Sequence, residues 1–130
     1  MKLKWSKDWN ASKRPNKQRK YRFNAPLHVK HTFLGTHLSP ELRKKYGTRS
    51  ITLRKGDKVK ILRGQYKKKS GKVNKVLVQS QKIYIEGMEI TKKDGSKVMV
   101  PFQPSNLMIT ELELTDKYRK EKLEKTKEKK

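Results

Sequence analysis

Cysteine is absent from the 130 residues, which excludes disulfides and thiolate metal sites and is compatible with a reducing compartment. Long apolar runs are missing as well. The opening "MKLKWSKDWN" lacks the apolar stretch of a signal peptide, and no run approaches the roughly 20 residues of a spanning helix, so a soluble, cytoplasmic protein without membrane insertion is expected. Hydrophobic residues make up only 32% of the chain, too few to bury all of it, which predicts one small core with poorly ordered extensions. Acid is scarce: 12 Asp or Glu stand against 36 Lys or Arg, for a formal net charge of +24. A solvated surface usually mixes signs at a net charge of about 2 to 8 for a small domain. An excess this large points to a polyanionic partner.

Composition divides the chain into four segments. Residues 1–38 hold ten Lys or Arg, one acid (Asp8), and interleaved Trp5, Trp9, Tyr21 and Phe23. With no sustained periodicity, this segment reads as an extended basic arm that orders on a partner. Residues 39–49 carry helix signals: Ser39 to cap, Pro40 at the first position, Glu41 at the positive end, Arg43, Lys44 and Lys45 at the negative end, and Gly47 to terminate. Leu38, Leu42 and Tyr46, four residues apart, form the docking stripe of this short helix. Over residues 50–115 the period changes to two, with Val59 and Ile61, Ile83 and Ile85, Val98 and Val100, and Leu107 and Ile109 alternating with other residues. Short alternating segments between turns predict a mainly β fold, a small antiparallel barrel or sandwich. Val73, Val76 and Val78 break alternation once, which suggests a bulge. Asp94-Gly95 signals a hairpin, and "PFQPSN" reads as a loop because Pro101 and Pro104 cannot continue a central strand. Residues 116–130 are almost entirely charged, with Leu123 as nearly the sole anchor, and disorder is expected there.

The stretch "LRGQYKKKSGKV" joins strand 58–62 to strand 71–78. Gly64 and Gly71 allow backbone angles that a side chain would penalise, and Lys67, Lys68 and Lys69 project between them. Phosphate would relieve their mutual repulsion, although lysines at hairpin tips also blunt edge pairing. "KGDKVKILRGQYKKKSGKVNKV" resembles a KOW motif, the RNA-binding hairpin of several ribosomal proteins and of NusG-type transcription factors. With "LSPELRKKYGTRSITLRKGDKV" before it and "VPFQPSNLMITEL" after it, the chain resembles, over roughly residues 20 to 118, the archaeal and eukaryotic branch of the universal large-subunit ribosomal protein L twenty-four family. Lys68 stands where that family usually carries glycine. The resemblance implies an SH3-like barrel with basic extensions that binds the 5′ domain of the large-subunit rRNA, acts early in assembly and lies beside the nascent-peptide tunnel exit. It further implies neighbouring large-subunit proteins, and nascent-chain factors at the exit, as partners.

On this reading the rRNA-binding residues are Lys13, Arg14, Lys17, Arg19, Lys20 and Arg22 of the arm, Arg43 and Lys44 of the short helix, Lys58, Lys60 and Lys72 of the barrel, and Arg63, Gly64, Tyr66, Lys67, Lys68 and Lys69 of the loop. The arm cations lack the spacing of one helix face, so an extended strand threading between RNA helices is expected. Specificity should come from RNA shape and unstacked bases, with Tyr66, Trp5, Trp9, Tyr21 and Phe23 as stacking candidates. Each of these could instead pack within the protein. His28, His31 and His37 lack a partner set for a closed metal site. Ser70-Gly71-Lys72 lacks the order and setting of a phosphate loop. No catalytic constellation, cofactor, metal or small-molecule substrate is expected. Two other classes compete with the ribosomal reading: a KOW-type elongation module, which would follow a separate α/β domain, and an architectural duplex-DNA binder, which would need an apolar wedge such as Met88, Met99 or Met108.

Overall fold

The structure is a computed structural model that describes residues 5–9 and 11–128, so the outermost residues of the expected arm and tail lie outside the described part. Seven strands form one sheet: β1 (Gly35–Leu38), β2 (Ser50–Thr52), β3 (Lys58–Ile61), β4 (Ser70–Leu77), β5 (Lys82–Thr91), β6 (Lys97–Phe102) and β7 (Leu107–Glu111). Their order is β2-β1-β7-β3-β4-β5-β6.

The alternating residues fold as their period demands. Val59, Ile61, Ile83, Ile85, Leu107 and Ile109 are all at 0% exposure and join Leu38, Leu53, Val73 and Met88 in one core. A single cluster fed by β1, β3, β4, β5 and β7 requires the sheet to curl on itself, which gives a small barrel-like domain. Register shifts supply the bends, between Val73 and Lys75 in β4 and between Tyr84 and Glu89 in β5, because an extra residue kinks a strand and increases its twist. Met88, a candidate wedge, is buried in the core.

The pairing departs from the expected antiparallel barrel at one place. β1 runs parallel to β7, His37 opposite Met108, and antiparallel to β2, so residues assigned to the arm complete the sheet. "PFQPSN" also differs from a plain loop. Pro101 and Phe102 end β6, where an edge position tolerates the missing N–H, and Pro104–Asn106 form a 3-10 turn.

The described residues also form four helices: α1 (Pro15–Asn24), α2 (Leu27–Thr32), α3 (Pro40–Tyr46) and α4 (Lys117–Glu128). In α3 the Leu42 N–H donates to Ser39 Oγ at 3.4 Å, and Gly47 closes the helix at φ 66° with its N–H on the Arg43 carbonyl. Leu42 packs against the core.

Helices α1 and α2 correct the extended-arm expectation. Pro15 presets the first turn, Lys, Gln and Arg are good helix formers, and Ala25, extended before Pro26, separates the two. No residue of α1 is buried, so it carries no apolar periodicity by which the sequence could reveal it. Tyr21 of α1 holds the preceding segment by ring contacts with Trp5 and Trp9, at centroid distances of 5.1 and 5.3 Å.

α4 corrects the expected disorder of the tail. Leu123 is 2% exposed and Arg119 4%. The Arg119 guanidinium donates to Asp57 Oδ1 at 2.7 Å and Oδ2 at 2.8 Å, to the Glu113 carbonyl at 2.9 Å and to the Thr52 carbonyl at 3.2 Å. Asp57, at 0% exposure, also accepts from the backbone N–H of Arg54 and of Glu113, both at 2.9 Å. A buried charge is tolerable when paired and fully hydrogen-bonded, and this carboxylate accepts four such bonds. Asp116, just before α4, accepts from the Tyr118 N–H at 3.1 Å and pairs with Arg54. It thereby supplies the helix N-terminus with a side-chain acceptor.

Candidate nucleic-acid interface

The strand–loop–strand that carries the motif is built from alternation. Val59 and Ile61 face the core, which turns Lys58 and Lys60 outward. The β3–β4 register sets Lys72 directly opposite Lys58 and Ser70 opposite Lys60. Two lysines facing each other across strands are mutually destabilising. Lys58 finds partial relief on its other side, where β7 places Glu111 opposite and its carboxylate lies 2.8 Å from Lys58 Nζ. Lys72 and Lys60 are exposed on the same outward face. Between them Gly71 turns inward: a Cβ there would stand 2.6 Å from Ile85 Cγ2 and 2.9 Å from the Glu86 carbonyl. Only glycine lets β5 approach this closely.

The connecting loop is closed by its own backbone. The Ile61 N–H donates to the Lys69 carbonyl at 2.8 Å, and the Lys68 N–H donates to the Ile61 carbonyl at 2.9 Å. Lys68 adopts φ 73°, the left-handed region that glycine would occupy without penalty. The turn is thus kept by a lysine, at a strain of about 1–2 kcal/mol. Arg63, Gly64, Lys67, Lys68 and Lys69 are all exposed. Tyr66 is half-buried: it meets Phe102 edge-on at 5.8 Å, its hydroxyl donates to the Glu89 carbonyl at 3.2 Å, and Lys69 Nζ lies 5.2 Å from its ring centroid. It anchors the loop to the β5–β6 hairpin.

The remaining candidates form a second group. Lys13 and Arg14 precede α1, and Lys17, Arg19, Lys20 and Arg22 ride on it, all exposed. They sit on a helix where a threading strand was expected. In α3, Lys44 is exposed, whereas half-buried Arg43 turns its Nε–H to the Leu38 carbonyl at 2.8 Å and braces the turn into the helix. The structure therefore joins Lys58, Lys60, Arg63, Lys67, Lys68, Lys69 and Lys72 on one continuous strand–loop–strand. The α1 cations belong to a separate element.

Sequence reasoning passed over three exposed lysines, Lys92, Lys93 and Lys97, which flank the tip of the β5–β6 hairpin. The turn signal was present in Asp94-Gly95, and the lysines beside it were the clue. Hydrogen bonds from the Ser96 hydroxyl and N–H hold the Asp94 carboxyl below its ordinary range, which keeps one negative charge among them. The Glu113 carboxyl is likewise lowered, chiefly by the Thr115 hydroxyl. Among the described residues no group of three or more His, Asp or Glu could hold a metal ion, and no helix is long and apolar enough to cross a membrane.

A curled seven-stranded sheet whose β3–β4 connection presents an almost uniformly cationic face defines a small basic β-barrel protein of the KOW class. Within that class, the chain belongs to the family of ribosomal proteins described as L26 in eukaryotes and L24 in archaea, whose model matches residues 12–126. The chain is also similar to curated proteins named "Large ribosomal subunit protein uL24". Identity is 57% over 63 residues with that of Methanosarcina barkeri, covering 48% of this chain and 54% of the relative. It is 59% over 54 residues with that of Methanothrix thermoacetophila, covering 42% and 47%. With that of Nanoarchaeum equitans it is 46% over 69 residues, covering 53% and 49%. The chain spans about half the length of the curated relatives it matches.

Proposed function

We propose that the protein is a structural, non-enzymatic constituent of the large ribosomal subunit. It binds the 5′ domain of the large-subunit rRNA, acts early in assembly and lies near the polypeptide exit tunnel of cytoplasmic ribosomes. The observation that carries this reading is the family match across residues 12–126, which takes in both the basic α1 segment and the cationic barrel face. Charge alone would not discriminate among polyanions.

The mechanism follows from the geometry. A barrel with a packed core holds the backbone of Lys58, Lys60 and Lys72 in fixed register, so only their side chains have to be ordered on meeting phosphate. Each phosphate neutralised releases condensed counterions, which makes affinity fall steeply with salt. The loop cations Arg63, Lys67, Lys68 and Lys69 reach beyond the strands toward the same RNA. Arg14, Lys17, Arg19, Lys20 and Arg22 engage phosphate along α1, with Lys13 and Lys44 adding to the contact. Neighbouring large-subunit proteins cover further surface, and factors at the tunnel exit meet what stays exposed.

Titration of the purified protein against a 5′-domain rRNA transcript, an unrelated structured RNA of equal length and duplex DNA, at several salt concentrations, tests this. The transcript should keep its advantage at high salt, where counterion release no longer dominates. One common salt line for all three ligands would overturn the proposal in favour of nonspecific packaging.

A further inference from the structure

Between Trp9 and Pro40 the chain carries seven Lys or Arg and no acid. The aromatic side chains of this region divide in two. Trp5 and Trp9 are each in ring contact with Tyr21, at interplanar angles of 31° and 26°, and Trp5 Nε1–H donates to the Tyr21 carbonyl at 3.2 Å. These rings are committed to holding the N-terminal segment on α1.

Phe23 is different. It is 79% exposed and forgoes most of the burial an aromatic ring normally contributes. The ammonium of Lys30, a residue only 9% exposed, lies 5.6 Å from its ring centroid. A buried lysine stem that delivers its charge to a ring orients that ring by cation–π attraction. Arg19, one helical turn before Phe23, and Arg22, its neighbour, are both exposed.

We propose that Phe23 is the stacking platform for an unpaired nucleobase, with Lys30 steadying the ring and Arg19 and Arg22 engaging the phosphates on either side of that base. This rests on the rRNA-binding reading above and names a contact for it. An oriented, solvent-facing ring on a helix that also carries exposed guanidinium groups suits single-stranded nucleic acid, where every base offers a π-face. A protein groove receiving this helix would have to neutralise its four cations, whereas RNA supplies the counter-charge along its backbone.

The test uses the full chain with Phe23→Trp, Phe23→Leu, Phe23→Ala and Arg19→Gln, the 5′-domain transcript, and single-stranded oligouridylate as a sequence-neutral probe. Helix content by circular dichroism should be unchanged in every variant, since the ring is exposed. Phe23→Leu and Phe23→Ala should bind both RNAs about 10- to 100-fold more weakly, while Phe23→Trp stays close to wild type. The dependence of log affinity on log salt should keep its slope in the Phe23 variants, because a stacked base releases no counterion. In Arg19→Gln that slope should flatten by about one phosphate's worth. Wild-type affinity for Phe23→Leu on both ligands overturns the proposal and leaves Phe23 as a packing contact for a neighbouring protein. Should wild type fail to prefer the transcript over unrelated RNA, the ribosomal reading fails instead, and the ratio of wild type to Phe23→Leu on oligouridylate still decides the stack.

Discussion

Helices α1 and α4 lie toward opposite ends of the chain, and both are rich in charge, yet only one is built into the domain. α1 has four basic residues and no acid, no capping acceptor in the side chain of its N-cap Arg14, and nothing buried. α4 mixes six basic residues with three acids, has Asp116 accepting from its first turn, and buries Arg119 and Leu123, one turn apart. Charge content therefore does not decide whether a helix belongs to a fold. Two anchors at i and i+4, one of them a guanidinium with a waiting carboxylate, are sufficient to dock α4. A ten-residue helix of one charge sign without a cap or anchor is marginal on its own, and α1 is suited to an oppositely charged partner.

The strongest way to break this contrast is Arg119→Ala. Leaving Asp57 buried without its guanidinium should lower the unfolding free energy by about 3–5 kcal/mol, measured by urea denaturation. An unchanged midpoint would mean that α4 is not anchored through this pair. Leu123→Ala should cost less, about 2–3 kcal/mol, for the apolar burial it removes. The reverse experiment gives α1 what α4 has. Arg14→Asp supplies a cap and should raise the local stability of α1 by about 1 kcal/mol, read as slower amide exchange from Lys17 onward. The same variant should weaken RNA binding, because a cation becomes an anion.

The smallest effect is a pH response confined to one helix. The Asp116 carboxyl is held below its ordinary value of 3.8, first by the hydrogen bond from Arg54. A group depressed in the folded state stabilises fully above its unfolded value, and that contribution fades as pH falls through the depressed one. Acid titration followed by amide exchange should therefore loosen the first turn of α4 at the acid end of the aspartate range. α1, which has no acid, should show no matching transition.

How legible these elements were in the sequence follows from how far each depends on distant partners. Val59 and Ile61 announced their strand by alternation, Asp94-Gly95 its turn, and Ser39, Pro40 and Gly47 their helix, because each signal is local. The cationic character of the strand–loop–strand was equally plain in "LRGQYKKKSGKV". The Asp57–Arg119 pair was invisible, since nothing in "KGDKV" or "KYRKEK" says that two residues 62 positions apart share a buried site. The α1 helix was hidden for a different reason: a helix that buries nothing has no face to mark. Phe23 stood with Trp5, Trp9 and Tyr21 as a stacking candidate of the arm, and only the ring contacts of the other three set it apart.

The parallel pairing of β1 with β7 has a consequence for the order of folding. β3, β4, β5 and β6 follow one another closely in sequence, and the β3–β4, β4–β5 and β5–β6 pairings need only short-range contacts. β1 and β2 can pair early, but they join the rest of the sheet only through β7, with His37 opposite Met108, and a contact of that separation forms late and slowly. The segment that bears α1 leads into the sheet through β1. In a nascent chain, then, the cations made before the barrel lead into a strand that is among the last to join the sheet.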